Sequence, residues 1–433
     1  MDHCAAAGGG RVSLGPGQYY SGTIVLKSGV ELHLEAGAIL TGSANPDDYL
    51  RREGAPGARL MGGEGMTALL FAEGAERVSI TGEGTLDGHG RAFFAKKNKE
   101  DVPEWIHQRK ALGTWVPGFE AALLMPRRPR ALILLVSCRE VRIELAHVHD
   151  SPSWTIHLLA CDHAVIRSVE LRGSLQGANT DGIDLDACRD VLVEDCDIFT
   201  GDDAIALKNT NLWGLRRDSR NITVRRCRLR STTHGFTVGT ETQRDFEDVI
   251  LEDCRIERPG EFRCITGLGL SILDGGALRR VRVTNLTIDD AVAPIQIRLG
   301  HVGRGQDVPT PGLLEDILLE NITVRGSQGV NLICGLPGHP IRQIRLRHLS
   351  FELTEPLDSE EIIWNVPELD TEFPPSEVWR FLPVSAFFFR DIEGLELTAF
   401  QTIVPASDPR PALTFRCVRD FTGNDITAQD ALV

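Results

Sequence analysis

This 433-residue sequence has few aromatic residues, no cysteine pairs and no long apolar runs. No apolar run approaches the roughly 20 residues of a membrane-spanning helix, so we predict no membrane partner. The ten cysteines include no CxxC pair, which disfavours both a zinc site and a disulfide framework. Aromatic residues make up 6% of the chain while glycine occurs 43 times, a composition that suits many turns between short strands.

Positive charge is also scarce, because 46 Lys and Arg residues stand against 61 Asp and Glu residues. Proteins that bind nucleic acids neutralise phosphates with clustered Lys and Arg. The formal net charge of -15 therefore argues against a nucleic-acid partner. The same charge disfavours a long polyanionic substrate.

The N-terminal segment MDHCAAAGGGRV lacks the basic and apolar regions of a signal peptide. It begins as though within a structural element, and two explanations stay open. The chain is a short gene product, or an upstream strand, cap or signal segment is missing. The sequence therefore leaves the compartment open.

The sequence does contain an internal repeat of nine residues. Each copy alternates apolar with polar residues, the period-2 pattern of a strand with one buried face. Successive copies begin 23 to 36 residues apart. They are EVRIELAHV from Glu140, HAVIRSVEL from His163, DVLVEDCDI from Asp190, NITVRRCRL from Asn221, DVILEDCRI from Asp248, RVRVTNLTI from Arg280, DILLENITV from Asp316 and QIRLRHLSF from Gln343.

Short strands at this period, without amphipathic helices between them, predict coils stacked as an all-β parallel β-helix. We predict one such domain over residues 1–433. Cys196, Cys227 and Cys254 share one position in three consecutive copies, so we expect an inward-facing ladder of free thiols. Residues 356–385 interrupt the repeat with a segment rich in Pro and aromatics, which we expect to wall one end of a cleft.

Candidate catalytic residues lie between Asn179 and Glu241. Asp181 precedes Asp202 by 21 residues, about one coil, and His234 follows Asp203 by 31 residues, about one further coil. Adjacent strands lie about 4.8 Å apart, so equivalent positions on neighbouring coils bring these groups together. The spacing predicts three aspartates and a histidine on one face of the helix.

Clustered carboxyl groups separate one another's pKa values, so that one acts as an acid while others remain bases. Glycoside hydrolysis requires this pairing. Two other interpretations stay open at this point. The aspartates could cap backbone N–H groups at turns, or they could bind Ca²⁺, which prefers carboxylate oxygens. The histidine, and the absence of carbonyl-rich loops nearby, disfavour a metal, and we predict neither a metal nor an organic cofactor.

The motifs Asn179-Thr180-Asp181, Gly201-Asp202-Asp203 and His234-Gly235, in this order and spacing, resemble glycoside hydrolase family 28, the polygalacturonase family. The resemblance extends over DGIDLDACRDVLVEDCDIFTGDDAIALKN and SPSWTIH, and covers roughly residues 8–425. It implies a right-handed β-helix and hydrolysis with inversion. By motif, Asp202 would be the general acid, Asp181 and Asp203 would hold and deprotonate water, and His234 would tune the acid. The family is often exported, which is compatible with an extracytoplasmic location.

One family motif is missing. Polygalacturonases carry Arg-x-Lys one coil after the histidine to grip a substrate carboxylate, and here the stretch reads GLGLSILDGG from Gly267. Arg263, Arg298 or Arg304 could supply a substitute fork. Further candidates for sugar contacts are Asn179, Lys208, Glu241 and the rings of Trp154 and Trp213, each with a structural alternative; for His157, a structural role is the favoured interpretation.

These observations predict a glycoside hydrolase that cleaves a pectin-type linkage in galacturonan, rhamnogalacturonan or a derived oligosaccharide. Two alternatives stay open. A polysaccharide lyase shares the β-helix but relies on Ca²⁺ or basic residues, and a non-catalytic carbohydrate-binding β-helix would not need adjacent Asp202 and Asp203. We expect an oligo- or polysaccharide partner and a monomeric chain. The exact glycan and endo or exo action are left open.

Overall fold

A computed structural model describes residues 1–52, 65–93, 127–327, 331–354, 360, 362–371 and 381–428. Of the predicted insertion at 356–385, residues 360, 362–371 and 381–385 fall in these ranges and the others lie outside them. Among the described residues, no helix is both long and apolar enough to cross a membrane.

Among the described residues, the regular secondary structure is almost all β-strand, with one short α-helix, α1 (Asp2–Ala6), before the first strand. Short 3-10 turns occur at Pro46–Asp48, Gly90–Phe93 and Leu212–Gly214. The first strands are β1 (Gly10–Leu14), β2 (Gly17–Ser21), β3 (Ile24–Val25), β4 (Val30–Leu34), β5 (Ala38–Gly42), β6 (Ala68–Glu73), β7 (Ser79–Asp87), β8 (Ala131–Val136), β9 (Arg139–His149), β10 (Trp154–Leu159), β11 (Asp162–Arg167), β12 (Glu170–Arg172), β13 (Ile183–Asp186), β14 (Arg189–Glu194) and β15 (Asp197–Thr200).

The remaining strands continue the same pattern, and the last of them are longer. They are β16 (Ile205–Asn209), β17 (Ser219–Arg225), β18 (Arg228–Ser231), β19 (His234–Thr242), β20 (Phe246–Glu252), β21 (Arg255–Glu257), β22 (Cys264–Ile272), β23 (Ala277–Asp289), β24 (Ala291–Leu299), β25 (Leu313–Ser327), β26 (Asn331–Cys334), β27 (Ile341–Leu353), β28 (Phe387–Ile403) and β29 (Leu413–Thr427).

Every pairing between these strands is parallel, and each strand pairs with the equivalent strand one coil later. The strands thereby form three stacks around the helix axis. One of them, the site stack, runs through β3, β6, β8, β10, β13, β16, β19, β22, β24, β26, β28 and β29. This is the predicted right-handed parallel β-helix, the hand that parallel crossovers adopt almost without exception.

The core lies inside the coils as ladders of like side chains. Ile156, Ile183 and Ile205 are partners in consecutive strands of the site stack and are fully buried. Each aliphatic side chain contributes about 1.5–3 kcal/mol on burial, which one coil alone could not obtain. The predicted thiol ladder is confirmed, since Cys196, Cys227 and Cys254 are buried and the backbone N–H of Cys227 donates to Cys254 Sγ at 3.4 Å.

The polar residues that open the repeats mark corners of the coils. Asp190, Asn221 and Asp248 all adopt positive φ angles near 56°, a conformation that Asn and Asp tolerate better than other residues with a side chain. Asn221 Nδ2 donates to Asp190 Oδ1 at 2.8 Å, so the corner residues also bond along the stack. Asn and Asp therefore recur at these positions because the backbone there adopts a positive φ angle.

The fold positions the candidate site through one outward row of the site stack. Backbone hydrogen bonds of 2.8 Å join Thr155 N–H to the carbonyl of Asp181, Gly182 N–H to that of Asp203, and Ala204 N–H to that of His234. A Cβ on Gly182 would lie 2.4 Å from the Ala204 carbonyl oxygen, so only glycine permits this approach. Asp181, Asp203 and His234 therefore occupy equivalent places on consecutive coils.

Candidate active site

The structure brings together the three aspartates that the sequence selects. Asp181, Asp202 and Asp203 each offer a carboxylate oxygen, and these oxygens lie within 4.8 Å of one another. Asp181 is 2% exposed and Asp203 8%, whereas Asp202 is only partly buried. The carboxyl group of Asp202 is thus the accessible one, and those of Asp181 and Asp203 are buried.

Backbone groups hold Asp202 in place. The N–H of Asn179 donates to Asp202 Oδ2 at 3.2 Å, and the N–H of Asp203 donates to Asp202 Oδ1 at 3.1 Å. Asn179 has φ 56°, which turns its N–H towards the carboxylate of the next coil. Asn179 is therefore part of the site through its backbone.

His234 pairs with Asp203. Its Nδ1 lies 2.5 Å from Asp203 Oδ1, and about a quarter of the imidazole is exposed. Burial works to raise the pKa of Asp203, but the His234 contact and the charge of Lys208 outweigh it, so the pKa of Asp203 is lowered. Asp203 is thereby favoured as an ionised base.

Asp181 pairs with Lys208, which reaches it from the next coil. Lys208 Nζ lies 2.8 Å from Asp181 Oδ2, 2.9 Å from Asp184 Oδ1 and 4.0 Å from Asp203 Oδ2. Burial raises the pKa of Asp181 well above its ordinary value, against the pull of Lys208, and raises that of Asp184 to about 7. The neighbouring carboxylates raise the pKa of Lys208, which stays charged despite its burial.

Two residues predicted to contact sugar lie beneath the cluster instead. Lys208 is 5% exposed and Trp154 3% exposed. The Lys208 ammonium sits 4.0 Å from the centroid of the Trp154 ring, as a cation–π contact. Trp154 therefore presents its face to Lys208 rather than to a sugar ring.

His157 packs inside the protein, and Trp213 is half-buried against neighbouring side chains. His157 is fully buried, its Nε2 lies 3.5 Å from Asp186 Oδ2, and burial lowers the pKa of the imidazole. The Trp213 ring contacts the guanidinium of Arg52, 4.2 Å from its centroid. Both placements agree with the structural interpretation of these residues.

Arg128 is a site residue that the motifs did not reveal. Its guanidinium is buried and donates to the carbonyls of Pro152 and Ala178 at 2.9 and 2.8 Å and to Asn179 Oδ1 at 3.0 Å. Burial lowers the pKa of Arg128 to about 10, although the charges of Asp181 and Asp202 oppose this shift. The available signal was the RRPR segment immediately before an apolar strand.

Glu241 and the arginines proposed as a carboxylate fork have partners inside the protein. Arg304 Nη1 donates to Glu241 Oε1 at 3.0 Å and its Nη2 lies 2.7 Å from Asp274 Oδ2. Arg298 is 3% exposed and donates to the carbonyl of Leu369 at 2.6 Å. Arg263 Nε lies 2.9 Å from Asp290 Oδ1. The structure places none of these three guanidinium groups within the acidic cluster.

The cluster suits proton transfer better than a hard cation. Ca²⁺ takes six to eight oxygen ligands, whereas Asp181, Asp202 and Asp203 provide three carboxylates. Two of them already have cationic or imidazole partners, Lys208 and His234. The ammonium of Lys208 supplies the positive charge that a metal would otherwise bring.

The fold and the site together define a parallel β-helix with three clustered carboxyl groups on one face. The model of glycosyl hydrolases family 28 matches residues 37–335. The chain belongs to this family. The family match agrees with the resemblance seen in the motifs.

Individual relatives are distant. A probable polygalacturonase of Vitis vinifera is 26% identical over 290 residues, which are 65% of this chain and 54% of that protein. The chain thus spans about half the length of this relative. Exopolygalacturonases of Thermotoga maritima and Yersinia enterocolitica have solved structures with TM-scores of 0.62 and 0.64, at 22% and 20% identity. They cover 81% and 98% of this chain, which covers 81% and 73% of theirs, and they support the fold.

Proposed function

We propose that this protein hydrolyses a pectin-type glycosidic linkage by acid and base catalysis. The observation that carries the proposal is a set of three carboxyl groups in different environments. Asp203 contacts His234, Asp181 contacts Lys208, and Asp202 faces outwards and receives two backbone N–H bonds. Membership of a family of glycoside hydrolases and polygalacturonase relatives support the reaction class.

The different environments suggest a catalytic role for each of the three carboxyl groups. Asp202, at the open face, protonates the departing glycosidic oxygen. Asp203, whose pKa is lowered, accepts the proton of the attacking water, and Asp181 orients that water from the preceding coil. His234, 2.5 Å from Asp203, keeps the base ionised and contacts the substrate side of the site.

The reaction is tested by release of reducing ends from a panel of galacturonan, rhamnogalacturonan and shorter pectic oligosaccharides. We expect release without an ultraviolet-absorbing unsaturated product. An unsaturated product would identify a lyase. Binding without cleavage of any panel member would indicate a non-catalytic carbohydrate-binding β-helix.

We expect the first product to have inverted anomeric configuration. The carboxyl groups of inverting enzymes generally stand about 6.5–9.5 Å apart, and those of retaining enzymes about 5–5.5 Å. The carboxylate oxygens that cluster here lie within 4.8 Å of one another, and inversion is the outcome that the family resemblance implies. Proton NMR of the newly formed reducing end, before mutarotation, decides it. Initial appearance of the retained anomer would contradict the mechanism given above.

The substrate unit beyond His234 meets a neutral surface. In register, Thr237 of β19 is followed by Gly269 of β22 and Gln296 of β24. Thr237 and Gln296 are buried and uncharged, and Gly269 stands in the segment where the family carries Arg-x-Lys. We infer a preference for a pectic linkage whose unit on this side is not gripped as a carboxylate, such as a rhamnose-containing fragment. Faster cleavage of galacturonan than of every rhamnogalacturonan fragment would contradict this.

A strap at residues 362–371 covers the site stack on the side of β24. Val366 of this strap forms one apolar cluster with Leu382, Val384, Ala293 and Phe388. Ala293 follows His234 and Thr266 along the same outward row, so the cover begins two coils, or about 10 Å, beyond the histidine. We infer that the cleft on this side accepts only a short stretch of substrate.

Three arginines of the site stack, on β24, β28 and β29, hold the strap by its carbonyl groups. Arg298 bonds Leu369, Arg390 bonds Val366 and Pro367, and Arg416 bonds Trp364. Replacing Arg390 with alanine removes two of these bonds and is expected to raise cleavage of long substrates relative to short ones. Chromatography of product lengths measures the ratio. Arg419→Ala, a change at an exposed arginine 3.6 Å from Glu393, is the control, and an unchanged product distribution in Arg390→Ala would contradict the inference.

A further inference from the structure

Lys208 has no assigned role in the reaction, yet it lies where three consecutive coils of the site stack meet. Asp181 and Asp184 belong to one coil, Lys208 to the next, and Trp154 to the coil before. The ammonium contacts both carboxylates at 2.8 and 2.9 Å and is covered by the indole ring at 4.0 Å. An ammonium enclosed in this way serves the carboxylates and not a sugar hydroxyl.

We propose that Lys208 is a positioning residue that keeps the Asp181 carboxyl group oriented towards the attacking water and opposes its protonation, with Asp184 as its second ionic partner. The proposal rests on the proposed function, because it presumes that Asp181 works on water. A buried carboxylate surrounded by other carboxylates takes up a proton readily unless a cation is in contact with it. Lys208 makes that contact, and its ammonium also lies 2.9 Å from Asp184 Oδ1.

Other charged groups face the Lys208 cluster, and each affects its protonation. Arg128 is the nearest cation on the side of β8, but its hydrogen bonds go to Pro152, Ala178 and Asn179. The charged groups that face Lys208, Asp181 and Asp184 from the neighbouring elements are Arg128 and Arg130 before β8, His157 on β10, Asp186 on β13, Asp202 and Asp203 before β16, and His234 and Glu241 on β19.

Lys208 and Asp184 shift the pKa of Asp181 in opposite directions. The positive charge of Lys208 lowers the pKa of Asp181, and the negative charge of Asp184 raises it. A carboxylate that orients water through its negative charge loses this function as the pH falls through its pKa. Removing the Lys208 charge must therefore move the acid limb of the kcat profile to higher pH, and removing the Asp184 charge must move it to lower pH.

The experiment compares kcat and KM against pH for wild type, Lys208→Met, Lys208→Arg and Asp184→Asn on the best substrate of the pectic panel. We expect Lys208→Met to shift the acid limb upwards by about one pH unit or more, so kcat on that limb falls about tenfold or more, with KM little changed. Lys208→Arg retains the charge and is expected to keep the limb near its wild-type position. Asp184→Asn is expected to shift the limb downwards.

A merely structural role for Lys208 would lower kcat at all pH values without moving the limb. An unmoved limb in Lys208→Met, or shifts of the same sign in Lys208→Met and Asp184→Asn, would overturn the proposal. Thermal unfolding shows which variants fold, and if Lys208→Met does not, the Lys208→Arg and Asp184→Asn profiles decide. Failure of the proposed function is seen separately, as an inactive wild type or an active Asp202→Asn, and would remove this proposal with it.

Discussion

Asp202→Asn is expected to lower kcat by about 10²–10⁴-fold, the usual contribution of a general acid. Asparagine retains the size of the side chain but has no proton to give to the departing oxygen. Two backbone N–H groups, from Asn179 and Asp203, point at the Asp202 carboxylate at 3.2 and 3.1 Å, and the amide oxygen of asparagine can accept one of them. The variant should therefore fold, bind substrate and fail in the chemical step.

Single-turnover and steady-state release of reducing ends measure this loss. Asp195→Asn is the matched control, because Asp195 is an exposed aspartate of the neighbouring turn whose carboxylate contacts Arg226. We expect Asp195→Asn to keep near-wild-type activity. Comparable activity in Asp202→Asn and the wild type would mean that Asp202 is not the acid and would favour a binding role for the cluster.

Arg128→Ala is expected to destabilise the protein and to reduce activity together. The change leaves the carbonyls of Pro152 and Ala178 and the side chain of Asn179 without their buried donor. Each buried acceptor that loses its hydrogen bond costs about 1–3 kcal/mol, so the free energy of unfolding should fall by at least about 2–3 kcal/mol. Because Asn179 donates its N–H to Asp202, the acid should also be displaced, and a displacement near 1 Å can cost about 10²-fold in rate.

The neighbouring residue provides the control for Arg128. Arg127 is partly exposed and contacts Asp47 at the surface, a type of ion pair that contributes about 0–1 kcal/mol. Arg127→Ala should thus leave activity and unfolding free energy nearly unchanged, as measured by denaturant titration and by kcat. Equal effects of the two substitutions would show that Arg128 contributes only surface charge.

The missing Arg-x-Lys motif and the strap both bear on which substrates fit the cleft. The motif concerns the charge of the substrate, and the strap concerns its length. Thr237, Gly269 and Gln296 form an uncharged row that passes through the segment of the missing Arg-x-Lys motif, and the strap begins on the coil of Gln296. A strap fixed to the sheet by buried arginines limits how far a polymer extends beyond His234. Both features favour short, weakly anionic pectic fragments, in keeping with the acidic net charge of the chain.

The sequence by itself determined the coil architecture and the acidic cluster. Its period-2 repeat indicates strands with one buried face. When the coils stack in register, residues about one coil apart in the sequence lie about 4.8 Å apart in space. The juxtaposition of Asp181, Asp202 and Asp203 followed from the separation of 21 residues, without any long-range inference. His234 followed in the same way from the next coil.

Only the tertiary structure decided the depth of each side chain and the contacts made outside the repeat. Lys208 and Trp154 carry groups suited to sugar contacts, yet both side chains are buried. Their burial depends on where each coil turns and not on the period of the repeat. Arg128 and Asn179 are 51 residues apart, and Arg298 and Leu369 are 71 apart. These separations match no coil length, because both arginines reach across turns to backbone or side-chain acceptors that no sequence pattern marks.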